Sequence, residues 1–459
     1  MKDSVKQALI DIVSPQNFTD QLMDLVSYSY DASDHDHRPE AAVWPTNAEQ
    51  VSKILMTANK HRFPVTPRGA GTGLAGGAVP VHGGLVLDLC RMNNILDIRI
   101  ADRLAVVEPG VVYDDLQKAL APYGFFFPPD PASGKACTVG GNVSTNAGGI
   151  RGAKYGVTRD YVMGLEVVLP DGRVMRTGSH CMKTSSGYDL TRLFVGSEGT
   201  LCIVTEITLK INPKPLAFKT GAAYFATLHD AGRSVAEVMQ SGIIPSVLEL
   251  LDDNTLKVLR DHSNLDMPDV MAMILAETDG YTEAEASFQM NRVIDIFRKN
   301  KATQIRTARS AKEAEQLWQV RKSVSSVATK LGTANASEDV AVPMSRIPDI
   351  LVGISAIIRR HDLPFVIFGH AGDGNLHPKI MYDRSDSDQA SRVKNAVDEI
   401  FRLTCGAEGT LTGEHGIGLA KAPYMGLEHD KTALELMHSL KRLLDPNNIL
   451  NPGKMGLDA

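Results

Sequence analysis

Two histidines and a Glu-His pair carry the strongest chemical signal in the chain. The run Phe368-Gly-His370-Ala-Gly-Asp-Gly-Asn-Leu-His377 reads as an apolar strand that ends in a glycine turn and reopens as a strand. Such a hairpin sets the two imidazoles at its facing mouth, where both can converge on one point. Gly413-Glu414-His415-Gly416 adds a carboxylate with a further histidine beside it. Two histidines and one glutamate with an open coordination position form a catalytic metal set, suited to zinc, iron or manganese. The plainer alternative is that these histidines only cap a hairpin with hydrogen bonds. Two such motifs, each flanked by glycines, favour the metal site.

A second signal is the loop Pro67-Arg68-Gly69-Ala70-Gly71-Thr72-Gly73-Leu-Ala-Gly-Gly77, with five glycines in eleven positions. A pyrophosphate needs main-chain N–H groups within hydrogen-bond distance, and turns with positive φ are cheap only for glycine. The loop therefore suits a nucleotide phosphate; the alternative is a structural turn. Gly71-x-Gly73-x-x-Gly76 also matches the dinucleotide fingerprint, but that motif must open a helix. Here Gly77 and Pro80 follow at once and the chain runs into a strand, so nicotinamide binding is disfavoured, and no P-loop spacing occurs. Gly140-Gly141-Asn142-Val-Ser144-Thr145-Asn-Ala-Gly-Gly149 and Gly196-Ser-Glu198-Gly199-Thr200 are two more glycine-rich segments with short polar side chains that can donate at close range. Three such segments, separated by strands, point to one extended ligand threaded between two small sheets.

The elements that must position these groups divide the 459 residues into more than one domain. A helix opens at a Thr46-Asn-Ala-Glu49 capping box and runs to Asn59. Strands are expected at Phe63–Thr66, Gly84–Leu89, Ala105–Glu108, Gly164–Leu169 and Leu201–Ile211, with Phe125–Gly156 as loop. Asn212-Pro-Lys-Pro215 punctuates the chain. Beyond it, strands near Gly221–Phe225, Val247–Leu251 and Met271–Glu277 alternate with helices near Asp230–Ser241 and Thr282–Lys299, an antiparallel α+β plan. Helices follow at Ala311–Leu331, Pro343–His361, Ser387–Thr404 and Leu427–Leu444. The net charge of −6 gives no case for nucleic acid, and no apolar run approaches the ~20 residues of a membrane helix. Five scattered cysteines, never spaced C-x-x-C, suit a reducing compartment and exclude an iron–sulfur motif. A cytoplasmic protein is expected, peripheral to a membrane only through a partner.

The stretch Arg38–Lys214 resembles the FAD-binding domain of the p-cresol methylhydroxylase and vanillyl-alcohol oxidase flavoproteins. The resemblance rests on Pro67–Gly77, Val107-Glu-Pro-Gly-Val111, Thr138-Val-Gly-Gly-Asn142 and Gly196-Ser-Glu-Gly-Thr-Leu201. It implies that FAD is held by Pro67–Gly73, Thr138, Gly141, Asn142, Ser144, Thr145, Glu198, Gly199, Ile203 and, from the C-terminus, Asn451. Some members attach FAD through a histidine of the glycine loop. Here position 72 is Thr and the loop has no His, which implies a non-covalent flavin.

A metal set beside a flavin fits a 2-hydroxy acid. A divalent cation chelates the hydroxyl and one carboxylate oxygen and acidifies the hydroxyl. His415 is the candidate base for that proton as hydride leaves Cα for the flavin. The remaining carboxylate oxygen wants a guanidinium fork, and Arg321, Arg359 and Arg360 are equally good by chemistry alone.

The C-terminal half resembles the FAD-linked oxidase C-terminal domain of D-lactate, glycolate and D-2-hydroxyglutarate dehydrogenases, through Trp318–Arg321, Glu338-Asp-Val-Ala-Val-Pro343, His370–His377, Glu414-His-Gly-Ile-Gly418 and Asn451-Pro-Gly-Lys454. The resemblance implies His370, His377 and Glu414 as metal ligands, His415 as base, Arg321 as the substrate-carboxylate partner, and Asn375 as a substrate-binding neighbour. Hydroxyglutarate enzymes carry a lysine before the aspartate matching Asp339. Ser337-Glu338 precede it here, which points to D-lactate or glycolate.

The expected architecture is α+β: an N-terminal helical segment (1–37), a two-subdomain FAD-binding domain (38–214), a ferredoxin-like substrate domain (215–405) and a C-terminal helical segment returning to the flavin (406–459). Without a nicotinamide fold or iron–sulfur spacing, the electrons need an external acceptor: an electron-transfer flavoprotein, an iron–sulfur subunit or a quinone. A homodimer is allowed. A flavin-dependent ether-lipid-type synthase shares the fold but would need a membrane-binding face, and no basic amphipathic stretch is evident. A non-catalytic subunit would show a decayed flavin loop or metal set, and both are intact.

Overall fold

The computed structural model describes residues 1–263, 265 and 267–458. Two compact units emerge: residues 1–148, 157–214 and 414–459 form one, and 149–156 with 215–413 form the other.

The first unit contains a small sheet in the spatial order Phe18–Thr19, Ala41–Val43, Leu85–Asp88, Val65–Arg68, whose last three strands run parallel. Helix Ala48–His61 covers it with Val51, Ile54, Leu55 and Ala58, the i, i+3, i+4, i+7 stripe of an amphipathic helix. Helix Asp3–Val13 adds Val5, Leu9 and Val13 to the same core. The N-cap of Ala48–His61 lies one residue later than the sequence suggests. The Asn47 side chain accepts from Gln50 N, and the Gln50 side chain accepts from Thr46 N at 2.8 Å, a shifted capping box. The glycine loop leaves Arg68 and reaches Leu85 without forming a helix, as the fingerprint argument requires.

A five-stranded antiparallel sheet completes this unit, in the order Ile95–Arg99, Leu104–Val107, Ile203–Lys210, Val162–Val168, Val174–Gly178. Its two edge strands are half exposed and carry no strong alternation, so the sequence did not reveal them. The expected loop Phe125–Gly156 contains a helix, Val139–Thr145. Glycine and hydroxyl residues disfavour a helix, but here Thr138 Oγ1 caps Gly141 N, and Ser144 and Thr145 donate their hydroxyls back to the carbonyls of Gly140 and Gly141. The C-terminal segment joins the small sheet: Val65 N donates to Ile449 O, and Asn451 N to Val65 O. The expected helix Leu427–Leu444 is broken; Asp430 caps a fresh start at Lys431.

The second unit is built on a large antiparallel sheet. Its first four strands in sequence, Ala217–Phe225, Val247–Asp252, Ala272–Gly280 and Gln304–Thr307, lie in the spatial order fourth, first, third, second, the ferredoxin-like arrangement. Helices Leu228–Gln240 and Glu283–Lys299 form the crossovers, and an extra helix, Asp253–His262, precedes the third strand. Phe365–His370 pairs with Val247–Asp252 and extends the sheet through the hairpin to Asn375–Tyr382.

Candidate functional site

In the first unit the three glycine-rich segments surround one cavity of about 430 Å³. Its lining takes in Pro67 through Gly73, Thr138, Gly141, Asn142, Ser144, Thr145, Glu198, Gly199 and Ile203, so these expected cofactor residues do share one wall. Glu414 and His415 line the same cavity. Asn451 is not part of the lining. Its amide nitrogen instead donates to Gly77 O at 3.0 Å and Glu198 O at 2.7 Å, which braces two of the cofactor segments from behind.

Two observations test whether this cavity fits FAD. Asn142 is buried, and its amide nitrogen has no hydrogen-bond partner, so a donor faces a missing acceptor. The glycines also let the loops approach closely. A Cβ at Gly69 would meet Thr138 Oγ1 at 2.3 Å; at Gly199, where φ is +69°, it would meet Pro67 Cγ at 2.3 Å. Both fit a dinucleotide held by main-chain groups. Arg68 and Glu198, besides lining the cavity, hold other parts of the chain. The Arg68 guanidinium donates to the Tyr30 carbonyl at 2.8 Å and stands 5.4 Å over the Tyr28 ring, tying in the N-terminal segment. The buried Glu198 carboxylate accepts the Ile417 and Gly418 N–H groups. Burial pushes its carboxyl above the ordinary range, and those two backbone bonds pull it back.

In the second unit the hairpin brings its two histidines together. His370 ends one strand, His377 lies on the next, and their rings meet edge-on with centroids 5.0 Å apart, both buried. A buried carboxylate backs each. Glu249 Oε1 lies 2.5 Å from His370 Nδ1, and Asp339 Oδ1 lies 3.6 Å from His377 Nδ1, an ion-pair separation rather than a hydrogen bond. Two buried imidazoles with carboxylates behind them are the donor set a divalent metal uses. Asn375 is committed to this support: its amide nitrogen donates to Asp339 Oδ1 at 2.5 Å and Val340 O at 3.2 Å, so only its carbonyl oxygen is of use to a ligand. Asp339 also accepts Thr412 Oγ1 and Gly413 N.

Arg321 is not a solvated helix charge. Its Nε donates to Glu249 Oε2, and its guanidinium lies 4.8 Å over the Phe368 ring. Arg359 and Arg360 instead pair with Asp253 and Glu399 on exposed surface. Glu249, wholly buried, escaped the sequence reading altogether. Burial raises its carboxyl, but Arg321 and His370 outweigh that and hold it at about 2.

The chain has the fold of p-cresol methylhydroxylase. The chain matches a p-cresol methylhydroxylase crystal structure with a TM-score of 0.83 at 20% identity, covering 99% of this chain and 97% of that one. It belongs to the FAD-linked oxidases: residues 39–178 match the FAD binding domain, and residues 214–455 match the C-terminal domain of FAD linked oxidases. It is 44% identical over 453 residues to the glycolate oxidase subunit GlcD of Bacillus subtilis, covering 98% of this chain and 96% of that protein. It is 35% identical over 430 residues to the D-lactate dehydrogenase of Anaerostipes hadrus, covering 91% and 90%.

Proposed function

We propose that the protein oxidises a small 2-hydroxy acid, glycolate or D-lactate, to the 2-keto acid, with FAD as the immediate electron acceptor. The observation that carries this reading is that His415 lines the cavity formed by the glycine loop. A base at the flavin is what removal of a hydroxyl proton with hydride transfer demands. The glycolate oxidase and D-lactate dehydrogenase names of the relatives support the substrate class.

In this reading Arg321 binds the substrate carboxylate. His415 takes the hydroxyl proton as the Cα hydride departs, so the C–H bond breaks and the C=O bond forms. FAD, held non-covalently because the loop offers Thr72 and no histidine, supplies the hydride acceptor. A divalent metal, with His370 and His377 as ligands and Glu414 assigned from its motif, would supply Lewis acidity at the hydroxyl. His370 and His377 then act only as neutral ligands, with His370 oriented by the Glu249 carboxylate behind it. Two electrons leave to an external acceptor: an electron-transfer flavoprotein, an iron–sulfur subunit or a quinone.

Anaerobic mixing of the yellow protein with glycolate, D-lactate and D-2-hydroxyglutarate tests the substrate class. Glycolate or D-lactate should bleach the flavin faster than the diacid, and prior chelation should slow bleaching. Absence of bleaching by all three contradicts the reading; indifference to chelation contradicts its metal component.

A further inference from the structure

Glu249 sits at the centre of the second unit's polar cluster, on strand Val247–Asp252, directly across the ladder from His370. Its side chain is fully buried. Its two oxygens have different partners: Oε1 accepts from His370 Nδ1 at 2.5 Å and Oε2 accepts from Arg321 Nε. A buried carboxylate is tolerated when both lone-pair faces are engaged, and is strongly destabilising when one partner is lost. Packing alone does not explain why a strand otherwise made of Val, Leu, Leu, Leu and Asp carries this charge.

We propose that Glu249 is a positioning residue that couples the metal-binding histidine to the substrate-binding arginine. The inference rests on the roles given to His370 and Arg321 above. By accepting a hydrogen bond at Nδ1, Glu249 fixes the tautomer of His370 and makes Nε2 the nitrogen that carries the ligating lone pair. By accepting from Nε, it turns the Nη edge of Arg321 outward for a carboxylate fork, while Phe368 supports the guanidinium plane from below. One carboxylate thus sets the orientation of two ligand-binding groups contributed by different elements. The carboxylate behind the other histidine does not do this: Asp339 is bonded to Asn375, Thr412 and Gly413 and stands 3.6 Å from His377.

The test compares Glu249→Gln with Arg321→Lys in the full-length flavoprotein. Glutamine keeps the shape of the side chain but presents an amide N–H to one of two donors. Four quantities are measured: Zn²⁺ and Mn²⁺ affinity by competition with a chelator, KM for glycolate and D-lactate, FAD per chain, and Tm. Glu249→Gln should weaken metal binding by roughly 10- to 100-fold and raise KM as well. Its FAD content should stay at the wild-type level. Arg321→Lys should raise KM and leave metal affinity within twofold of wild type, by about the accuracy of such titrations. A folded Glu249→Gln protein with wild-type metal affinity, or with wild-type KM, overturns the coupling. If that variant does not fold, Glu249→Asp, which keeps the charge but reaches one methylene less far, is read by the same criteria. A wild-type protein that binds neither metal refutes the metal reading itself, a result distinct from failure of the coupling.

Discussion

Glu198 accepts the backbone N–H of Ile417 at 2.6 Å, and its second oxygen accepts that of Gly418 at 2.7 Å. The turn Gly196–Thr200, read in the sequence as a cofactor segment, therefore also clamps the loop that presents His415. A buried N–H left without its acceptor costs about 1–3 kcal/mol, and Glu198 serves two. Glu198→Gln can accept only one of them and turns an N–H toward the other donor. The expected outcome is retained FAD with kcat lowered roughly tenfold to a hundredfold, because displacement of a catalytic group by about 1 Å has that effect. Steady-state kinetics alongside the flavin-to-protein absorbance ratio would show it.

Gly199→Ala tests the cofactor wall. The residue has φ of +69°, where an L side chain costs about 1–2 kcal/mol. Its added methyl would also press on Pro67 Cγ at 2.3 Å. The purified variant should be largely colourless. Gly426→Ala, whose Cβ meets nothing within 4 Å, should keep its flavin.

The C-terminal return depends on a buried lysine. Lys441 Nζ donates to Thr200 O at 3.0 Å, Leu450 O at 2.8 Å and Asp445 Oδ2 at 2.5 Å. Lys441→Met leaves the buried Asp445 carboxylate with only the Ile449 and Leu450 N–H groups and no counter-charge, which should destabilise the first unit by about 3 kcal/mol. Calorimetry should show the transition that releases flavin moved to lower temperature.

Lys454 gives a pH signature. Burial brings its ammonium down from 10.5 to about 8, against the pull of Glu198, Asp31 and Asp458. Between those values the unfolded chain holds the proton and the folded chain releases it. The lysine's contribution to stability therefore rises with pH from about 8 to 10.5 and is flat below about 8. The difference in Tm between the wild type and Lys454→Met should grow in the wild type's favour across that window. A difference independent of pH would contradict the shift.

What the sequence made legible follows from how local each signal is. The glycine loop and the His370–His377 hairpin are contiguous, so spacing alone exposed both. The helix Val139–Thr145 was hidden because its glycines and hydroxyls argue for loop; the Thr138 cap opens it and the Gly196 and Glu198 N–H groups donate to its last turn, contacts that come from about 50 residues further on. Glu249 was invisible for a different reason: one glutamate in an apolar strand reads as an outward-facing residue. Its partners lie 72 and 121 positions away. Asn451 was identified with the cofactor from its motif, and its amide nitrogen joins it to two of the glycine-rich segments through Gly77 and Glu198, contacts that no spacing could show.

The central claim is that His415, on the wall of the flavin cavity, removes the substrate's hydroxyl proton. The most direct measurement is anaerobic stopped-flow reduction of the FAD-loaded His415→Ala variant by glycolate and D-lactate, beside the wild type. The variant should carry its full flavin content and bleach about 10²- to 10⁴-fold more slowly, the contribution of a general base. Bleaching at the wild-type rate by a fully loaded variant would contradict the claim.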